Sequence, residues 1–248
     1  MNVQTNDRMV LKISGVDAQR FLQDLVTNNL DKISLIYAAL LTPQGKYLFD
    51  FFILKQNDAW LLDVKSDCAP ALAQRLTMYR LRADVVIEDS GLSVQRGVGD
   101  LPDGAVADPR HPALGWRLYT SDIGHEPPID WDAIRVEHCI PETGIELIAD
   151  NTYILEAGFE RLNGIDFKKG CYVGQEINAR MKHKTELRKG LVTVAVEGNA
   201  DVGTQILSMG KPVGTLFTQS GGRAIAYLRF DRAKGDMTAN GATVRLLS

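Results

Sequence analysis

After Lys189 the chain breaks into short apolar runs separated by glycine: "GLVTVAVEG", "TQILSMGKPVGTLFTQS", "GRAIAYLRF" and "GATVRLLS". Each run reads as a short strand. Strands this short and this closely spaced, with glycine turns between them, form the pattern of a small β-barrel. A domain boundary therefore falls at Lys189, with a barrel over residues 189–248 and a larger region over residues 1–188.

The larger region mixes periods. "MVLKISG" reads as a strand, and "DAQRFLQDLVTNNL" as a helix with Phe21, Leu22, Leu25 and Val26 on one face and Asp17 able to cap its start. "IYAALLTPQGKYLFDFFILK" reads as strand, turn and strand around Pro43, Gln44 and Gly45, with "AWLLDVK" a third strand. "APALAQRLTMYRL" is a helix and "RADVVIED" a further strand. This order predicts an α+β region with mainly antiparallel sheets. A second subdomain, centred on about residues 90–165, holds short strands ("LSVQRGV", "GWRLYT") and a helix in "PPIDWDAIRVEHCI".

The 248 residues carry 28 Lys and Arg against 31 Asp and Glu, so the basic excess of a protein that grips nucleic acid through phosphates is missing. Direct nucleic-acid binding is not expected. No segment reaches the roughly 18 apolar residues of a membrane span, and the N-terminus has neither an apolar core nor an Arg-rich amphipathic pattern, which predicts a soluble cytoplasmic protein without membrane partners. Three cysteines, Cys68, Cys139 and Cys171, lie far apart without a C-x-x-C pair, against a disulfide framework or an intrinsic metal site.

Cys171 stands in "DFKKGCYVGQEINARMKHK", beside Gly170 and after Lys168 and Lys169. Neighbouring cations favour a thiolate and glycines leave room for a partner, so the residue reads as a reactive or metal-handling thiol. The other reading is a small side chain filling a turn before a helix. A single thiolate cannot hold an iron–sulfur cluster, which takes four protein ligands; any cluster at Cys171 would be shared. The helix that follows places Gln175 and Glu176 in its first turn, and Glu176 and Arg180 four residues apart on one face. The run Arg180, Lys182, His183, Lys184, Arg188 and Lys189 could clasp a polyanion or form a solvated face. Asp50, and Glu137 near Arg135, interrupt apolar alternation; a carboxylate there could accept two hydrogen bonds from an N–C–NH2 edge such as that of a pterin, or lie on the surface.

The segment "KKGCYVGQEINAR" closely resembles the signature K-G-C-Y/F-x-G-Q-E-x-x-x-R of the YgfZ family, folate-binding relatives of the glycine-cleavage aminomethyltransferase. "ISGVDAQRFLQDLVTNNL", "LLTPQGKYLFD", "MYRLRADVVIED", "DPRHPALGWR", "IRVEHCIPETGIEL", "GKPVGTLF" and "AIAYLRF" extend the resemblance over most of the chain. It is also similar to the mitochondrial iron–sulfur assembly factor of that family. The resemblance implies an α+β fold of three domains in a ring, two antiparallel-sheet subdomains plus the small barrel, around a channel for tetrahydrofolate or a derivative.

It further implies a role in assembly or repair of 4Fe-4S enzymes, including radical enzymes that modify tRNA, with assembly proteins and client enzymes as partners and a transient shared cluster. Cys171 becomes the functional thiol, and Lys169, Gly170, Tyr172, Gly174, Gln175, Glu176 and Arg180 match the motif. Glu137 becomes the pterin carboxylate, with Arg135, Asp50 and Tyr172 as further cofactor contacts. True aminomethyltransferases carry two adjacent acidic residues where this chain has Phe49 and Asp50, so the transfer chemistry is in question while the pocket persists. An accessory assembly factor is the first reading. A folate-dependent one-carbon transferase, with Asp50 catalytic, is the second, and tRNA binding through residues 180–189 the third.

Overall fold

The computed structural model describes residues 7–32, 34–122, 128–183 and 187–247. They fall into two compact units: residues 1–129 with 160–175, and residues 130–159 with 176–248. The second unit therefore holds the barrel from Lys189 together with an earlier stretch of chain.

The first unit is built on an antiparallel sheet of order β2-β3-β4-β1-β5: β1 (Arg8–Ser14), β2 (Ile36–Leu41), β3 (Tyr47–Gln56), β4 (Ala59–Lys65) and β5 (Val86–Asp89). Helices α1 (Ala18–Gln23) and α2 (Ala69–Arg80) contribute Phe21, Leu22, Leu72 and Leu76 to a core with Leu11, Ile13, Ala38, Leu40, Phe51, Ile53 and Leu62. Residues of opposite parity, Val10 and Leu61, pack instead with Val94 of a smaller sheet, so the main sheet is covered on both faces. That smaller sheet has the order β6-β8-β7, from β6 (Ser93–Gly97), β7 (Val106–Ala107) and β8 (Trp116–Thr120). Burial on both faces explains why β2, "IYAALL", is apolar throughout.

Two expectations are corrected here. The helix predicted over residues 17–30 ends at Gln23, because Thr27 and Asn28 turn their side chains to distant backbone: Thr27 Oγ1 donates to Gly164 O (2.7 Å) and Asn28 Nδ2 to Asn163 O (2.6 Å) and Tyr37 O (2.9 Å). Such bonds compete with the helical ladder. Asp17 does not cap α1; its Oδ2 accepts from the Asp84 amide at 2.8 Å, tying the start of the helix to the strand that follows α2.

In the second unit, β9 (Lys189–Glu197), β10 (Gln205–Ser208), β11 (Lys211–Ser220), β12 (Arg223–Arg229), β13 (Met237–Ala239) and β14 (Ala242–Leu246) close a barrel in the order β10-β11-β12-β9-β14-β13. Val194, Val196, Ala224, Ala226, Leu228, Ala242 and Val244 fill it at period two. Helix α3 (Trp131–His138) is capped by Asp130, whose carboxylate accepts from the Ala133 amide, and is fastened to the barrel where Thr193 Oγ1 donates to Val136 O at 2.7 Å. Helix α4 (Gln175–His183) starts where the chain passes from residues of the first unit to those of the second.

Candidate functional site

The approach to Cys171 is held at many points within the first unit. The Asp166 amide donates to Thr27 O (3.0 Å) and the Lys168 amide to Asp166 Oδ1 (2.8 Å). Lys169, 6% exposed, drives its ammonium into the end of α1, donating to Gln23 O (2.6 Å) and Val26 O and lying 5.1 Å above the Tyr172 ring. Carbonyls at a helix C-terminus lack intrahelical donors, so a cation is well placed there. Burial lowers the Lys169 amine to about 8, against the pull of Asp24 and Asp166.

On the other side of the thiol, Tyr172 is buried and Val173 packs on the sheet core. Gly174 has φ of +82° and presses on the turn between β2 and β3; a Cβ there would stand 2.6 Å from Thr42 O and 3.0 Å from Gly45 Cα. Only glycine combines that conformation with that approach. Between the anchors, Gly170 and Cys171 are exposed, and nothing lies within 4 Å of where a Gly170 Cβ would be. Cys171 thus lies exposed in the loop before α4. Lys169, read as a neighbour that favours a thiolate, spends its charge on α1 carbonyls instead.

The remaining sequence candidates are distributed. Asp50 on β3 is buried, accepting from Tyr37 Oη (3.0 Å) and Tyr47 Oη (2.7 Å). Arg135 on α3 is buried in the second unit, where it donates to Glu146 Oε2 (2.5 Å), Asp132 Oδ1 (2.7 Å), Ile140 O (3.1 Å) and Thr218 Oγ1 (3.3 Å). Glu137, two residues further along α3, is exposed and has no partner among the described residues, so its carboxylate is free to accept a paired donor edge. Glu176 and Arg180 form an exposed ion pair at 3.0 Å on α4, with Gln175 at the helix start. In the basic run Arg180, Lys182, His183 and Arg188 are exposed, Lys189 approaches Glu156 at 3.7 Å, and Lys184 lies outside the described residues. Among those residues no three His, Cys, Asp or Glu side chains gather as a metal site, and no helix is long and apolar enough to cross a membrane.

Sequence reasoning missed a buried charge ladder in the first unit. Asp63 accepts from Arg8 Nε (2.6 Å), Arg117 Nη1 (2.8 Å) and Tyr119 Oη (3.1 Å), while Asp108 accepts from Arg117 Nε (3.1 Å) and Arg110 Nη2 (2.9 Å). Arg117, Arg110 and Arg8 lie 3.7, 4.8 and 5.6 Å from the Phe52 ring centre. Burial alone would raise both carboxyls, but the surrounding guanidiniums hold them below the ordinary value. The signal was an aspartate inside the apolar strand "AWLLDVK" and an arginine inside "GWRLYT".

Comparison with known proteins now bears on this arrangement. Residues 188–248 match the family model described as the CAF17 C-terminal beta-barrel domain, which spans the barrel. Along the wider chain, the mitochondrial iron–sulfur cluster assembly factor IBA57 of Homo sapiens is 29% identical, with 96% of this chain and 81% of that protein covered. The chain is similar to IBA57 over most of its length. Homologues of the same name from Phaeosphaeria nodorum and Pyricularia oryzae are 32% and 31% identical, over 75% of this chain in each case and 53% and 54% of theirs. The chain spans about half the length of such fungal relatives, 55% and 51% for those of Mycosarcoma maydis and Neurospora crassa. Its fold is that of the glycine cleavage system aminomethyltransferase T from Bartonella henselae, with a TM-score of 0.78 over 98% of this chain and 83% of that one, at 13% identity. The chain thus carries an aminomethyltransferase-type fold, antiparallel sheets and a closed barrel, as the sequence led us to expect.

Proposed function

We propose that this protein is a folate-binding factor of the YgfZ type for assembly or repair of 4Fe-4S enzymes, acting through Cys171. The observation that carries the proposal is the exposed thiol on a loop anchored on both sides. A cysteine kept for packing would be buried; one fastened in place yet open to solvent is arranged to meet another molecule. The cluster is cargo, to which the chain offers one ligand, with the others coming from an assembly protein or client enzyme. That its IBA57 relatives bear the name of assembly factors supports the same reading. Clients include radical enzymes that modify tRNA, the site of action is the cytoplasm, and the role is accessory rather than enzymatic.

Tetrahydrofolate is the cofactor in this proposal. Bound, it would supply a carrier for one-carbon units. The carboxylate of Glu137 suits the pterin N–C–NH2 edge because nothing in the described chain competes for it. Arg135 and Asp50 would act at one remove, Arg135 by bracing the helix that carries Glu137 and Asp50 through its two tyrosines.

In cells depleted of the protein, Cys171→Ser should leave activity of a 4Fe-4S client at the depleted level while the purified variant unfolds at the wild-type midpoint. Normal client activity would overturn the proposal. Calorimetric titration with tetrahydrofolate should show binding lost in Glu137→Ala and kept in Cys171→Ser. A one-carbon transferase is the second reading, favoured by the shared fold. Turnover of an aminomethyl donor with tetrahydrofolate by the purified protein would establish it.

A further inference from the structure

In the first unit a cavity of about 340 Å³ opens between α1 and the end of α2. Phe21, Leu25 and Tyr79 give it an apolar lining, and Arg80, Leu81 and Arg82 stand along one side. Its volume lies at the bottom of the range for small-molecule sites, room for one or two large side chains. Leu81 is 87% exposed and sits at φ of +48°, a conformation that a branched side chain rarely adopts, and Met78, one helical turn earlier, is 63% exposed. The chain thus holds Leu81 in water beside an apolar hollow that it helps to line.

The charges around it do not cancel. Asp17 is engaged by the Asp84 amide, and Asp24 lies 4.0 Å from Arg20 and also acts on the Lys169 amine. Arg80 donates to Val85 O at 3.2 Å, and neither it nor Arg82 has a carboxylate partner among the described residues. With Arg20, Arg80 and Arg82 against Asp17 and Asp24, the lining carries a net positive charge of one; guanidiniums without a carboxylate partner beside an apolar hollow complement an acidic segment with a bulky apolar anchor.

We propose that this hollow docks an acidic segment of a partner protein, seating a Phe, Trp or Leu side chain against Phe21, Leu25 and Tyr79 while its carboxylates meet Arg80 and Arg82. Position gives the docking a purpose. Asp24 and Leu25 line the cavity, and Gln23 and Val26 on either side of them supply the carbonyls that anchor Lys169, two residues before Cys171. A partner seated here grips the same turn of chain that holds the thiol loop; this last step rests on the assembly reading, whereas the docking does not.

The test is selection of phage-displayed random dodecapeptides on the full-length protein. Enriched peptides are then synthesised and their binding measured by fluorescence anisotropy. We expect enrichment of Asp and Glu flanking Phe, Trp or Leu, and affinity lowered at least about tenfold by Arg82→Glu and by Leu81→Asp. Leu81→Gly removes the same side chain while relieving its backbone, so weaker binding with an undiminished thermal midpoint separates docking from folding. Failure to enrich acidic peptides, or equal binding by Arg82→Glu, would overturn the proposal. So would a concentration-dependent dimer in light scattering that Leu81→Asp abolishes, since it would assign the face to a second copy. Cys171→Ser should bind the peptides like wild type; normal client activity in that variant would overturn the assembly reading and leave the docking standing.

Discussion

A methyl group on Gly174 would stand 2.6 Å from the Thr42 carbonyl oxygen in a backbone already at φ +82°. Gly174→Ala should therefore cost about 2–4 kcal/mol in urea unfolding, strain and overlap together. Cys171→Ser, at an exposed position without packing, should stay within about 0.5 kcal/mol of wild type in the same measurement. Limited alkylation with iodoacetamide, read by mass spectrometry, should modify Cys171 ahead of Cys68 and Cys139, which are half-buried. Burial, then the Asp50 carboxylate, pushes the Cys68 thiol up and starves it of thiolate. The motif made Cys171 and Gly174 legible in the sequence. Lys169 was legible as a motif residue but not as an anchor, because its partners are backbone carbonyls, which have no residue code.

Strands β1, β4 and β8 are joined through Asp63, which takes Arg8 from one neighbour and Arg117 from the other sheet. Asp63→Asn would leave two buried guanidiniums short of charge, and should cost about 3–5 kcal/mol by denaturant unfolding. Its pH dependence follows from the depressed carboxyls of Asp63 and Asp108. The unfolded chain binds protons there more readily than the native one, so the stabilisation is present above the unfolded value of about 4 and is lost as pH falls through the lower native values. Acid unfolding followed by circular dichroism should be less steep in Arg117→Met than in wild type, on a lower plateau at neutral pH. Among the elements themselves, "AWLLDVK" forms a strand with the predicted bounds because alternation and flanking turns are local. Helix α1 is shorter than its apolar period because Thr27 and Asn28 find partners more than a hundred residues away.

The chain crosses between its two units after residues 129, 159 and 175. A cut at the start of the barrel would consequently separate α3 from Thr193 and the Arg135–Glu146 pair from Thr218. A chain of residues 1–188 should expose that face of α3 and be cleaved within residues 130–159 under limited proteolysis, while the strands of the first unit resist. Protection of residues 130–159 equal to that in the full chain would refute this. The barrel itself was plain in the sequence, since short strands with glycine turns announce closure locally, although β13 (Met237–Ala239) falls outside the runs that the sequence marked. Its recruitment of residues 130–159 was not, because a helix with one apolar face does not name the surface that covers it.

By itself the sequence determined where most strands and helices lie, that a small barrel closes the chain, and that Cys171 stands between lysines and glycines. Those features depend on period, on glycine conformations and on neighbours along the chain, all written within a few residues. Only the tertiary structure decided that Lys169 anchors the thiol loop to α1, that Asp50 is spent on two tyrosines, and that Arg117 and Asp63, 54 residues apart, share a buried charge. The strength and cost of a buried ion depend on what surrounds it in space, and that environment exists only once the sheets have met.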